Sequence, residues 1–96
     1  MYLIHLHFSL PPEGGELPSG VEEALYEVQP AIDLAVRHVR EDGAPVLGLY
    51  VRAPDLHAAE LWAAVAWRAV ARRIAGAAGW SLLKAEAPLL IVDELA

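Results

Sequence analysis

From Tyr2 to Ser9 the chain alternates, with Tyr2, Ile4, Leu6 and Phe8 on one side and Leu3, His5, His7 and Ser9 on the other. A period of two is that of a β-strand. Leu10 to Ser19 breaks the pattern with Pro11, Pro12, Gly14, Gly15 and Pro18, the composition of a loop. Ser19 followed by Glu22 has the spacing of a capping box and predicts a helix start there. Val21, Ala24, Leu25 and Val28 form the apolar stripe of that helix.

Two readings open at Gln29. In one, a single long helix runs on to Asp42, and Ala31, Ile32, Ala35, Val36 and Val39 extend the stripe. Pro30 then lies inside the helix, at a cost of about 3 kcal/mol. In the other, the helix stops near Gln29, a strand runs from Ile32 to Glu41, and Asp42-Gly43 turns the chain into a second strand from Val46 to Arg52. Asp-Gly between alternating runs is a strong hairpin signal. A two-residue turn would set Val36 opposite Leu49 and Leu34 opposite Val51 on one face, and Asp33 opposite Arg52 and Ala35 opposite Tyr50 on the other. The proline cost and the turn signal favour the hairpin.

Pro54-Asp55 opens a second helix with Asp55 as its N-cap. It runs to about Ala75, where Gly76 and Gly79 act as stop signals. Leu56, Trp62, Val65, Ala66, Trp67, Ala69, Val70 and Ile74 cover a wider arc than one contact surface needs. A strand from Trp80 to Glu86 follows, with Leu83 and Ala85 on one face. Pro88 then precedes the apolar run Leu89-Leu90-Ile91-Val92.

The predicted order is β-α-β-β-α-β, that of the ferredoxin-like fold: α+β, one antiparallel sheet with two helices on one face. The long-helix reading would give β-α-β-α-β instead. The chain forms a single domain, 1–96, ending in an apolar tail, 89–96. In several segments it resembles the dimeric α+β barrel group, which includes muconolactone isomerase-like and antibiotic-biosynthesis monooxygenase-like proteins. The segments are the first strand Tyr2-Leu3-Ile4-His5-Leu6, the Pro-containing loop after it, Leu47-Gly48-Leu49-Tyr50-Val51 leading into Asp55-Leu56-His57, and Trp80 to Pro88. Its first helix is shorter than that of the group. The resemblance implies back-to-back pairing of sheets in a homodimer, a cleft for a small molecule, and chemistry without a cofactor.

The net charge of −6 argues against nucleic-acid and anionic-membrane partners. With no cysteine, disulfides, thiol catalysis and Cys-based zinc sites are excluded. Met1-Tyr2-Leu3-Ile4-His5 lacks the basic lead of a signal peptide, and Arg68, Arg72 and Arg73 interrupt the best candidate for a membrane span. The expectation is a cytoplasmic protein. An apolar content of 56% is high for so small a domain and predicts that a second copy covers part of the surface, with the tail contributing to the contact.

The candidate chemistry lies on the outward sheet face, which alternation fills with His5, His7, Asp33, Arg37, Tyr50, Arg52, Lys84 and Glu86. In a ferredoxin-like sheet the first and third strands are neighbours, which brings His5 and His7 beside Tyr50 and Arg52. These four are the candidates for proton transfer. His5 and His7 share a face at metal-ligand spacing, but zinc needs a third or fourth ligand. His38 falls on the opposite face in this register, and Glu86 is the best remaining partner, so no metal or cofactor is expected. Trp62 and Trp67 are candidates to line a pocket for a small apolar ligand. Two functions remain in view: a homodimeric accessory or binding protein for a partner protein or a small apolar ligand, and a cofactor-independent isomerase, cyclase or oxygenase acting on a small aromatic or polyketide-like substrate.

Overall fold

The computed structural model describes residues 1–11 and 14–88. The chain runs through β1 (Tyr2–Ser9), α1 (Val21–Val28), β2 (Ile32–Val39), β3 (Pro45–Val51), α2 (Leu56–Arg73), a 3₁₀ turn (Ala77–Gly79) and β4 (Ser81–Glu86). The four strands form one sheet in the order β2-β3-β1-β4, every neighbouring pair antiparallel. This is the ferredoxin-like arrangement, and the single long first helix is ruled out. Pro30 sits in the turn between α1 and β2, where its missing N–H breaks no helical hydrogen bond. The expectation for the tail concerns residues outside those described.

The hairpin differs from expectation by one residue. Arg40 N–H donates to Ala44 C=O (2.9 Å) and Gly43 N–H to Arg40 C=O (2.9 Å), so the loop is Glu41-Asp42-Gly43. Gly43 takes a φ of 87°, the left-handed conformation that closes a three-residue hairpin loop. The pairing is therefore Ala35 with Leu49, Val36 with Gly48, Arg37 with Leu47 and His38 with Val46. A one-residue slip moves every β2 side chain to the other face. An irregularity between Ile32 and Leu34 restores Ile32 to the core.

α1 begins without the expected capping box. Its N-cap is Gly20, which makes no side-chain cap, and the Glu22 carboxylate turns to Arg37 instead. α2 is capped as expected, Asp55 Oδ1 accepting from Ala58 N–H at 2.7 Å. Asp55→Ala should cost about 1 kcal/mol, read as a lower melting temperature with unchanged sheet content. An unchanged melting temperature would remove the cap from the account.

α2 buries Ala59, Ala63, Ala66, Trp67 and Val70, while Leu56, Leu61 and Val65 stay exposed. The small alanines let the helix lie close over the sheet, so its contact stripe is narrower than its apolar arc. Trp67 fills the space beyond them. Its ring lies 4.7 Å from that of Phe8, and its Nε1–H donates to the Trp80 carbonyl at 3.2 Å. In β4 the pairing jumps from His7–Lys84 to Phe8–Leu82, which leaves Leu83 out of the ladder. Leu82 and Ala85 consequently pack against the core, and Leu83 is exposed, contrary to the alternation read from sequence. Among the described residues, no helix is long and apolar enough to cross a membrane.

Candidate functional site

Ile4, Leu6, Phe8, Leu47, Leu49 and Val51 point to the helices and form the core with them. The alternate residues of the same strands make the opposite, open face. β1 supplies Leu3, His5 and His7, β3 supplies Val46, Gly48 and Tyr50, β2 supplies Leu34, Val36 and His38, and the rim strand β4 supplies Lys84 and Glu86. The slip in the hairpin decides this membership. His38 joins the face, and Arg37, expected there, goes to the helix side.

His5 stands between two other imidazoles, with ring centroids 6.1 Å from His7 and 6.0 Å from His38. His38 lies over the bare backbone of Gly48. A Cβ there would lie 3.4 Å from His38 Nε2 and 3.5 Å from Leu3 Cδ1, in ordinary contact with both. Val46, paired with both His7 and His38, is 3% exposed although it lies outside the helix-side core.

His5 and His7 are biased toward the neutral form. Burial, then the proximity of His38 and His7, lowers the His5 pKa, and Glu86 offsets this only in part. Burial and then Lys84 lower that of His7, again against Glu86. Glu86 answers chiefly to Lys84, whose Nζ lies 3.0 Å from its Oε1, and the hydrogen bond from Lys84 lowers the Glu86 pKa. His7 Nε2 lies 3.7 Å from the same oxygen, beyond a good hydrogen bond. His7 Nδ1 is buried with no partner among the described residues.

The other sequence candidates are placed as follows. Tyr50 is on the open face, partly exposed, paired with Leu3. Arg52 is held at the end of the sheet by Asp33 Oδ1 (2.7 Å) and the Pro30 carbonyl (2.9 Å). Trp67 belongs to the core, and Trp62 is half-buried against it. No group of three or more His, Asp or Glu among the described residues is arranged to hold a metal ion. A hollow of about 160 Å³ beside Leu17, Arg37 and Pro45 reaches His38 but is not lined by His5, His7, Tyr50 or Arg52.

Sequence reasoning missed Leu34, Val36 and His38 as members of the face. The available signal was Glu41 before Asp42-Gly43, which permits a three-residue loop with glycine in its last position. Compared with protein-family models, with curated proteins and with solved structures, the chain matches none.

Proposed function

We propose that the protein is a small homodimeric binding protein, two copies meeting through the open sheet faces, that serves a partner protein or a small apolar ligand. The observation that carries this reading is the charge balance of the face. The chain has a net charge of −6, yet Lys84 is paired with Glu86 on the rim of this surface, and Arg52 with Asp33 at its end. The rest of the face is Leu3, Leu34, Val36, Val46, Gly48, Tyr50 and three imidazoles, running out to the edge strand β2. An apolar surface free of unpaired charge, flanked by paired charges, suits an interface.

The occupant is a second copy because an isologous contact must be complementary to itself. A face without net charge meets its own image without repulsion, and the surplus acid residues of the chain, such as Glu16, Glu23, Glu41 and Glu60, lie elsewhere. Four strands of this length present roughly 20 by 25 Å. With side-chain relief, that approaches the roughly 800 Å² per partner of a standard interface. The resemblance to the dimeric α+β barrel group supports the same arrangement. Two facing sheets would also enclose the histidines, the condition a cofactor-independent enzyme would require here, so dimerisation is the first thing to test.

Leu34 is 47% exposed on the face. Leu34→Arg puts an unpaired charge into the proposed contact and should weaken association by about 2–5 kcal/mol. Sedimentation equilibrium is expected to show a dimer at micromolar concentration for the unaltered chain and a monomer for the variant. An unaltered chain that is monomeric at tens of micromolar, or a Leu34→Arg chain that dimerises equally well, would overturn the reading.

A further inference from the structure

Three of the four histidines of the chain lie together on the open face, His5 between His7 and His38. We infer that this trio makes the sheet-to-sheet contact proton-gated: two copies join while the imidazoles are neutral and separate when they are protonated. The inference rests on the self-association reading above and names its regulation.

Closing two such faces removes water from His5 and His7, already partly buried, and from His38, which is exposed in a single copy. An imidazolium there needs a counter-charge, and each element around the trio can be checked for one. β1 carries His5 and His7 themselves. β2 brings His38, with Arg40 just beyond its end, and β3 brings Val46, Gly48 and Tyr50, which supply no anion. β4 brings Glu86, already paired with Lys84, which adds a cation of its own. Among the described residues, protonation of the trio is therefore under-compensated. Two-fold symmetry worsens this, because the trios of both copies would lie between sheets about 10 Å apart.

Burial, joined by the neighbouring imidazoles at His5 and by Lys84 at His7, already holds both below the ordinary value of 6.5 in a single copy. A lowered pKa in the assembled state stabilises that state above the free pKa, and the stabilisation is lost as the pH falls through the lowered value. The gate therefore opens as the pH falls below the free-copy values of His5 and His7, which are themselves lowered. Overall charge works in the opposite direction. With an isoelectric point near 5.0, acidification discharges the chain and draws copies together. Loosening on acidification cannot come from net charge and must come from particular groups. Each imidazole that has to lose its proton on assembly multiplies Kd by up to about tenfold per pH unit below its pKa.

The test is sedimentation equilibrium at about pH 7.5 and pH 5.5 on three chains: unaltered, the triple variant His5→Gln/His7→Gln/His38→Gln, and His57→Gln. His57 is exposed on α2, on the helix side of the sheet and outside the trio, and serves as the control. The expected result is a Kd that rises at least about tenfold at the lower pH for the unaltered and His57→Gln chains, and a flat or falling Kd for the triple variant. A dimer of equal or greater strength at the lower pH overturns the gate and leaves the dimer standing. A monomer at both pH values overturns the dimer and the gate together. A triple variant that keeps the pH dependence assigns it to other groups and also overturns the gate. Should the triple variant not fold, NMR titration of the imidazole protons in the unaltered chain decides. His5, His7 and His38 must titrate at lower pH in concentrated than in dilute samples, and identical titrations refute the inference.

Discussion

Trp67→Ala is expected to remove about 3–5 kcal/mol of stability, enough to leave a domain of this size largely unfolded at 37 °C. Trp67 is 2% exposed and packs against Phe8 between helix and sheet. Its neighbours on α2 are Ala59, Ala63 and Ala66, too small to collapse into the space it would leave. The truncation also takes the indole N–H from the Trp80 carbonyl, which no water can readily reach. Trp67→Phe keeps most of the volume but not the hydrogen bond, and should lie between the two. Urea unfolding followed by the fluorescence of Trp62 and Trp80 measures the series. A loss below about 1 kcal/mol for the alanine variant would show that the core is not organised around this residue.

Arg37→Met should cost about 2–4 kcal/mol and loosen the entry to α1. The guanidinium binds both Glu22 oxygens and donates to the carbonyls of Leu17 (2.7 Å) and Pro18 (2.6 Å). It thus ties the Pro/Gly loop and the first turn of α1 to the edge strand β2, where the helix has no side-chain cap of its own. Methionine preserves the packing of the aliphatic stem and isolates the lost polar contacts. Hydrogen exchange should show faster opening from Leu17 to Leu25 in the variant with little change in α2, and equal exchange in both helices would reject the clamp. The clamp is also acid-sensitive. The hydrogen bond from Arg37 holds the Glu22 carboxyl below its ordinary 4.5, so its contribution is present at neutral pH and is lost as the pH falls through that lowered value.

The elements were legible in the sequence because each has a local cause. Alternation marks β1, the penalty of Pro30 ends α1, Asp55 caps α2, and Asp42-Gly43 turns β2 into β3. Their order was enough to predict the antiparallel sheet. The site was less legible because side-chain placement on a strand depends on the count of residues in the turn, and two- and three-residue loops read almost alike. That single residue exchanged Arg37 for His38 on the open face. Likewise Glu22 has the spacing of a capping residue, but β2 brings Arg37 within its reach, and a charged pair outcompetes a cap.

By itself, then, the sequence determined the strands, the helices and the presence of histidines on an alternating strand. Those depend on propensities and turn chemistry within a few residues. Only the tertiary structure decided that His38 comes across the bare backbone of Gly48 to His5, that Arg37 closes the loop, and that Leu83 leaves the β4 ladder. These depend on which backbone hydrogen bonds pair distant strands, and a shift of one residue there reverses a face while leaving every local preference satisfied.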